Sequence, residues 1–551
     1  MTPTPYTAHL DRFVRDRLPA PEDRPDFLFA LPDLQYPERL NATTAFVDLH
    51  VEAGRGERPC LISPFERWSY RDLQARVDRI ARVLVDRLGV IPGQRVLLRA
   101  PNTPMLAAAH LAVWKAGGVV VATMPLLRAK ELSVLTAKAR ISLALCDGRL
   151  VAELEKAREA APWIERIVSF GHGPAEAEGE LERLMAEVSD EPFAPCATAA
   201  EDPCLVGFTS GTTGEPKGTI HNHRDLLATC DSYGKHVLRA TEDDVFIGSP
   251  PLAFTFGLGG LLLFPLRAGA STVLLERATP DELLPAIARH RATICFTAPT
   301  AYRAMLTKLS EHSISSLRKG ISAGETLPQP VWEAWHAATG IELMDGIGST
   351  EMLHIFIGSP QGEIRPGATG RVVPGYEARV VDDSGNEVPP GTVGRLAVRG
   401  PTGCRYLADE RQKAYVHDGW NFTGDSYSMD EDGYFWYQAR TDDMIVSSGY
   451  NIAGPEVEAA LLAHPAVAEC GVVGAPDPER GQVVKAYVVL RPGHAADAGT
   501  AKALQDHVKA EIAPYKYPRA VEFVESLPRT GSGKLQRFRL REIARGEEIS
   551  R

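Results

Sequence analysis

The segment Phe208–Gly218 has the residue types that bind phosphate, and it directly follows a short apolar strand. Glycines let backbone N–H groups approach an anion, hydroxyls donate hydrogen bonds, and a lysine adds a compact positive charge. The candidate ligands are Thr209, Ser210, Gly211, Thr212, Thr213, Gly214 and Lys217. A flexible surface loop is the alternative, but an ordered run of this length after a strand is far more specific than a lone glycine-rich pattern.

This loop is not the common nucleotide loop of P-loop proteins. The chain contains no Gly-x-x-x-x-Gly-Lys-Ser/Thr pattern. The similar stretch Gly531–Lys534 fails as well, because Pro528 and Leu535 occupy the positions where that pattern needs Gly and Ser or Thr. Both lysines, Lys217 and Lys534, therefore need another explanation.

A scaffold of alternating helices and strands must position these groups. An apolar stripe that follows Ser69 predicts a helix; it consists of Leu73, Val77, Ile80, Val83 and Leu84. Short apolar or β-branched runs predict strands of largely parallel sheets at Arg95–Leu98, Gly117–Thr123, Ser142–Cys146, Ile167–Phe170 and Leu205–Thr209. Turn residues between Gly370 and Gly400 predict antiparallel hairpins.

A second, smaller unit begins near Asp442. Here we predict a helix at Pro455–Leu462, strands near Glu469–Gly474 and Lys485–Leu490, and a helix from Thr500. At 551 residues the chain is too long for one core, so several subdomains are expected.

Composition excludes several classes of protein. Apolar residues make up 44% and charged residues 24%, which is typical of a globular protein. A net charge of -11 gives no general attraction to nucleic acid or to an anionic membrane. The eight cysteines show no framework spacing, and neither a secretory core nor a membrane-length apolar run occurs, so a cytoplasmic location is expected. A C-terminal basic cluster favours a solvated face; it contains Lys516, Arg519, Arg529, Lys534, Arg537, Arg539 and Arg541.

The phosphate-type loop resembles the signature of the adenylate-forming superfamily, which includes acyl-CoA synthetases, luciferases and peptide-synthetase adenylation domains. The family's other motifs follow in order as Gly346–Glu351, Thr423–Asp425, Ala439–Asp443 with Gly449–Glu458, and Pro528–Lys534. The resemblance implies an α/β fold. A large N-terminal domain, residues 1–441, would hold two α/β sheet subdomains and a β-rich subdomain, followed by a small mobile α+β domain, residues 442–551.

The resemblance also implies roles for single residues. Thr350 would touch a phosphate of ATP, and Glu351 would help to hold Mg²⁺. Asp425 and Arg440 would hold the ribose, and Lys534 would stabilise charge in the first half-reaction. The adenine side would use Gly324 and Glu325, and Asp345 and Gly346 would also bind the nucleotide. Without the motifs, a solvated acid, a surface salt bridge, a simple turn and an exposed loop lysine are the ordinary alternatives.

In that family an acyl-adenylate forms first, and coenzyme A then displaces AMP. The matching hinge residue is Asp442, about which the C-terminal domain would rotate. Rotation would remove Lys534 and bring Gly449 to the pantetheine tunnel, where glycine suits close backbone approach. A plain turn at Gly449 is the competing interpretation.

The acyl pocket would be formed by the stretch Pro251–Gly257 and by residues after Glu351. Its candidate lining is Phe254, Thr255, Phe256, Gly257, Gly348, His354 and Ile355. Phe254 stands where many fatty acyl relatives have His, and Ser349–Phe356 is similar to the benzoate–CoA ligase branch. The segment Leu31–Asn41 resembles 2-aminobenzoate–CoA ligases. Core aromatics and a core histidine remain the alternative.

We therefore predict an AMP-forming ligase that uses ATP, Mg²⁺ and coenzyme A on a small aromatic acid, as a monomer or homodimer. The same motifs would serve a protein that loads a carrier-protein phosphopantetheine. A non-catalytic nucleotide-binding relative is disfavoured by the intact Lys217, Glu351, Asp425 and Lys534.

Overall fold

The computed structural model describes residues 6–171, 179–209, 216–440, 443–447, 450–477, 480–512, 514–529 and 535–546. The strands, numbered along the chain, are β1 Pro59–Ile62, β2 Arg67–Ser69, β3 Arg95–Arg99, β4 Val119–Thr123, β5 Leu143–Asp147, β6 Arg166–Phe170, β7 Pro203–Thr209, β8 Lys217–Asn222, β9 Val245–Gly248, β10 Ser271–Val273, β11 Ile294–Thr297, β12 Lys319–Ser322, β13 Leu343–Gly348, β14 Ile355–Gly358, β15 Arg371–Val372, β16 Glu377–Val381, β17 Gly394–Arg399, β18 Val416–His417, β19 Trp420–Met429, β20 Phe435–Arg440, β21 Ile445–Ser447, β22 Tyr450–Ile452, β23 Val467–Asp477, β24 Gly481–Leu490 and β25 Ala520–Phe523.

The α-helices are α1 Tyr70–Arg82, α2 Pro104–Lys115, α3 Ala129–Ala139, α4 Val151–Ala160, α5 Glu180–Glu187, α6 His223–Thr229, α7 Thr255–Leu258, α8 Phe264–Ala268, α9 Pro280–His290, α10 Pro299–Leu306, α11 Gln329–Thr339, α12 Gln412–Tyr415, α13 Gly454–Leu462, α14 Ala498–Glu511 and α15 Arg537–Arg545. Two π-helical segments, Cys230–Leu238 and Gly259–Leu263, continue α6 and α7 respectively.

Two α/β sheets form the larger part of the molecule. One has six strands in the order β6-β5-β3-β4-β7-β8, parallel except for the antiparallel pair β7–β8. The other has nine strands in the order β15-β14-β13-β12-β11-β9-β10-β1-β2, with a parallel centre and antiparallel edges. The strands that were predicted between Arg95 and Thr209 are confirmed.

A third sheet supplies the predicted hairpins. Strands β16, β17, β19 and β20 are antiparallel neighbours, with β18 beside β19. The fourth sheet uses only residues after position 444, in the order β22-β21-β24-β23, with β25 parallel to β24. Helices α13 and α14 pack on it around a separate core that includes Val457, Leu461, Leu504 and Val508. The chain thus has a large N-terminal and a small C-terminal domain.

Hydrogen bonds between side chains and backbone explain where helix α1 begins. Ser69 caps α1 by accepting a hydrogen bond from the Asp72 amide, and the Asp72 carboxylate accepts one from the Ser69 amide in return. Leu73, Val77 and Ile80 on the predicted stripe are buried. The predicted helix is therefore confirmed.

Two further features of the fold are the state of the cysteines and the length of the helices. All eight cysteines are free thiols, and each except the half-buried Cys196 is buried. In the described part of the chain, no helix is both long enough and apolar enough to cross a membrane.

Candidate active site

The candidate site lies where the ends of β7, β12 and β13 approach one another. Strand β7 ends at Thr209, which pairs in register with Lys217 at the start of β8, so the phosphate-type loop is the connection between two paired strands. Thr350 follows β13 and reaches across to β7. A Cβ added at Gly207 would lie 3.0 Å from the Thr350 methyl group, so glycine permits this approach of the two sheets.

Lys217 and Glu351 lie close together at this site. We call the region around these two residues the phosphate corner. The Lys217 Nζ is 3.7 Å from the Glu351 Oε1, and the Tyr406 hydroxyl lies between them. The hydroxyl donates to Glu351 Oε1 at 2.5 Å and accepts from Lys217 Nζ at 2.8 Å. Tyr406 was not predicted, because no local pattern links it to either partner.

Thr350 is held by a chain of buried groups. The His221 Nε2 donates to the Thr350 carbonyl at 2.7 Å, and His221 Nδ1 lies 3.7 Å from Asp225. Although burial opposes ionisation, the Arg405 guanidinium at 2.7 Å and His221 hold the pKa of Asp225 well below its usual range. Arg405 therefore supports Thr350 indirectly, through Asp225 and His221. The next residue in the chain, Tyr406, contacts Glu351 directly.

The predicted adenine side forms the wall beyond β12 and β13. Gly324 has a φ of 90°, a backbone conformation that favours glycine. Asp345 lies on β13 with a buried Oδ1 that has no hydrogen-bond partner, and the Ser322 hydroxyl is likewise buried and unpaired. Burial raises the pKa of Asp345 to about 8. Its neighbour Gly346 leaves room for Ile355, whose Cγ2 would lie 2.8 Å from an added Cβ.

The predicted ribose pair is formed by strand register. Asp425 on β19 lies opposite Arg440 on β20, and the Arg440 guanidinium donates to Asp425 Oδ1 at 3.2 Å. Asp425 is buried, which raises its pKa, while Arg440 opposes that shift. A carboxylate that is only partly paired can accept hydrogen bonds from two hydroxyls.

The predicted acyl side is a box of aromatic rings around His354. The ring centroids of Tyr233, Phe256, Phe264 and Phe296 lie 4.5 to 6.3 Å from that of His354. Burial lowers the pKa of His354 to about 3, so the ring is neutral. Its Nε2 lies 3.4 Å from the Phe256 carbonyl, which leaves Nδ1 as a buried, unpaired acceptor.

Two glycines allow the rings of this box to pack closely against the neighbouring helix. A Cβ at Gly259 would lie 2.2 Å from His354 Cδ2, and one at Gly260 would lie 2.5 Å from Phe296 Cδ1. Phe254, Thr255 and Phe256 are half-buried and lie where α7 begins. Gly257 packs against the Pro251 carbonyl, and Gly348 pairs with Ile355 beside the His354 backbone.

Several contributors to this box were missed from sequence. Tyr233, Phe264 and Phe296 come from three separate segments, and the adjacent Gly259 and Gly260 were the one local sign of close packing. Other predicted site residues lie outside the described residues; these are Ser210, Gly211, Thr212, Thr213, Gly214, Asp442, Gly449 and Lys534.

The C-terminal domain contacts the adenine side through Arg529. Its guanidinium lies 3.6 Å from Glu325 and 2.7 Å from Glu469, so it connects the two domains. Other members of the basic cluster pair with acids of their own domain: Lys516 with Glu456, Arg537 with Glu458 and Arg541 with Asp443. These basic side chains are therefore ion-paired and only partly exposed, which differs from the predicted solvated face.

Comparisons with known proteins show which family the chain is similar to. A family model described as AMP-binding enzyme matches residues 49–406, and one described as AMP-binding enzyme C-terminal domain matches residues 456–534. The benzoate–CoA ligase of Thauera aromatica is 37% identical over 516 residues, which are 93% of this chain and 97% of that protein.

Two solved structures are similar over almost their whole length. The anthranilate CoA ligase AuaEII in complex with anthranoyl-AMP has a TM-score of 0.88 at 35% identity and covers 93% of this chain and 99% of its own. A benzoate CoA ligase from Burkholderia xenovorans LB400 has a TM-score of 0.83 at 34% identity, with 91% and 100% covered. The chain therefore belongs to the AMP-binding enzyme family, as an AMP-forming acid–CoA ligase of the benzoate–CoA ligase branch.

Proposed function

We propose that this enzyme activates a small aromatic carboxylic acid with ATP and Mg²⁺ and transfers the acyl group to coenzyme A, releasing AMP and pyrophosphate. Its preferred acid is 2-aminobenzoate, followed by benzoate or salicylate. The observation that carries the proposal is the box of rings around His354, because flat aromatic walls suit a flat aromatic substrate.

Unpaired polar atoms in the box support the ortho-substituted acid. The His354 Nδ1 and the Tyr233 hydroxyl are both buried without a hydrogen-bond partner. Buried polar groups are normally paired, so these unpaired atoms favour a ligand that carries its own donor. A 2-amino or 2-hydroxy group supplies that donor, whereas benzoate does not.

The residues at the phosphate corner fit Mg²⁺. Mg²⁺ usually keeps several waters and takes one or two carboxylates together with substrate phosphates. Glu351 supplies one carboxylate, and the described residues contain no cluster of three potential ligands that could hold a metal alone. When bound, the ion would neutralise phosphate charge.

The chain's own groups would divide the remaining work. Lys217 and Thr350 would bind phosphate oxygens, and Asp425 would hold the ribose. The substrate carboxylate would attack the α-phosphate and displace pyrophosphate, while Lys534 would stabilise the charge that develops on oxygen. In the second half-reaction the coenzyme A thiol would attack the acyl carbonyl, and AMP would leave.

The direct test measures AMP release together with the thioester mass, using ATP, Mg²⁺, coenzyme A and a panel of acids. The panel contains benzoate, 2-aminobenzoate, salicylate, cinnamate, octanoate and acetate. We expect 2-aminobenzoyl-CoA as the dominant product. Preference for an aliphatic acid would contradict the pocket assignment, and adenylate without thioester would indicate a carrier-protein acceptor.

A variant tests the ortho contact. His354→Phe keeps an aromatic ring but removes the acceptor, so kcat/KM for 2-aminobenzoate should fall by about 10-fold or more while that for benzoate changes less. Equal losses for both acids would assign His354 to packing alone. The ratio of the two kcat/KM values is the measurement.

A further inference from the structure

Tyr406 contacts both Lys217 and Glu351 at the phosphate corner, although none of the motifs named above includes it. Its side chain is buried, with 1% of the residue exposed. The hydroxyl connects two groups of opposite charge, accepting from Lys217 Nζ at 2.8 Å and donating to Glu351 Oε1 at 2.5 Å. A phenol has one proton to donate, and a carboxylate can only accept, so these directions are fixed.

The protein backbone, not a ligand, sets this geometry. The segment around Tyr406 runs antiparallel to β8: Thr219 forms a bridge with Tyr406, and the Leu407 amide donates to the Gly218 carbonyl at 2.8 Å. The Tyr406 amide donates to the Gln412 side chain at 2.8 Å. Lys217 lies on the same strand β8, so strand pairing brings the lysine to the phenol.

The hydroxyl keeps the lysine and the carboxylate apart. Lys217 Nζ and Glu351 Oε1 are 3.7 Å apart, longer than a charge-assisted hydrogen bond of about 2.8 Å. Burial, and then the charge of Glu351, raises the pKa of Tyr406 far above its ordinary value, so the phenol keeps its proton. Among the described residues, the second Glu351 oxygen has no hydrogen-bond partner and stays available to a ligand.

We propose that Tyr406 is a positioning residue that spaces Lys217 and Glu351 so that both can engage the metal–triphosphate. The inference rests on the proposed function, in which Glu351 binds Mg²⁺. Without the hydroxyl, Lys217 and Glu351 close into a direct ion pair inside a half-buried corner. The nucleotide must then break that pair before either group can bind, so affinity falls without any loss of contact surface.

Binding of Mn²⁺ to the enzyme–ATP complex tests this without turnover. With no carboxylic acid present, the free Mn²⁺ is followed by its EPR signal as enzyme and ATP are titrated. Tyr406→Phe should weaken Mn²⁺–ATP binding by about 10- to 100-fold, because each charge-assisted hydrogen bond is worth a factor of that size. The KM for ATP should rise more than kcat falls.

Tyr302→Phe is the matched control. It deletes another buried hydroxyl, which donates to the Cys295 carbonyl at 2.8 Å, away from the phosphate corner. Its thermal unfolding measures the cost of removing a buried hydroxyl, and its Mn²⁺–ATP affinity should equal that of the wild type. A loss of affinity in both variants would overturn the proposed role of Tyr406.

A double-mutant cycle separates spacing from general packing. In a Lys217→Met background no ion pair can form, so adding Tyr406→Phe should weaken Mn²⁺–ATP binding by less than about threefold. The same loss in both backgrounds would overturn the spacing role. If the wild type itself fails to bind Mn²⁺–ATP, the proposed function fails; if it binds and Tyr406→Phe binds equally well, only this inference fails.

Discussion

Asp345 shows how a single buried carboxyl can make nucleotide binding depend on pH. Its Oδ1 is buried and unpaired, and burial raises its pKa to about 8. In the free enzyme it is therefore largely protonated at neutral pH. If an amino group of the adenine donates to this carboxyl group, the ionised form accepts more strongly than the neutral form, so binding favours release of that proton.

The expected consequence is a slope in ATP affinity. The affinity for ATP should rise by at most tenfold per pH unit below about pH 8. Above that pH it should level off, because Asp345 is then already ionised in the free enzyme. Titration calorimetry from pH 6.5 to 9 measures this, with Asp345→Asn as the reference that cannot titrate. Parallel profiles for the two proteins would remove Asp345 from the nucleotide contacts.

The π-helical segment Gly259–Leu263 is the element that shapes the acyl box. It continues from α7 into α8, and its first two glycines lie against the rings of His354 and Phe296. Protein interiors are packed too tightly to absorb a group at 2.2 Å from another atom. The two glycine positions therefore define one wall of the box.

An added methyl group should damage the acid site alone. Gly259→Ala would displace the His354 ring from its position among the aromatic rings, so adenylate formation with any aromatic acid should fall by about 100-fold, while Mn²⁺–ATP binding stays unchanged. Gly499→Ala in α14, where the nearest atom is a side-chain oxygen at 3.3 Å, is the control and should leave both intact. An active Gly259→Ala enzyme would contradict this account of the wall.

Elements with strong local signals were predictable from the sequence, and contacts between distant elements were not. The capped helix α1, the parallel strands and the hairpins follow from apolar spacing and turn residues. Resemblance to family motifs predicted roles for Thr350, Glu351 and His354. Tyr233, Phe296 and Tyr406 escaped because each enters the site from a segment without a chemical motif, and only tertiary packing brings them together.

The two domains meet on the adenine side, where the segment that precedes Lys534 contacts Glu325 through Arg529. By resemblance, formation of the adenylate and formation of the thioester use different placements of the C-terminal domain. The contact described here belongs to one of them. Since Arg529 brings the start of the Pro528–Lys534 motif to the nucleotide side, we assign this contact to adenylate formation.

Weakening this contact should therefore affect the half-reactions unequally. Arg529→Gln removes a partly exposed charge pair worth about 1 kcal/mol, so pyrophosphate exchange should slow by about fivefold. Thioester formation from supplied acyl-adenylate should change by less than about twofold. Lys516→Gln, which breaks a pair with Glu456 inside the C-terminal domain, is the control for both assays. Equal slowing of both half-reactions by Arg529→Gln would refute the assignment.

The pairing of β8 with the segment around Tyr406 has a consequence for synthesis of the chain. The Lys217–Tyr406 contact joins residues 189 positions apart, and Phe27 forms a bridge with Gly400. Contacts of such long sequence separation close late in folding. On the ribosome, the six-stranded sheet can form well before its nucleotide corner, which stays incomplete until residue 406 has left the exit tunnel. Nascent chains halted earlier should be folded in part but unable to retain ATP.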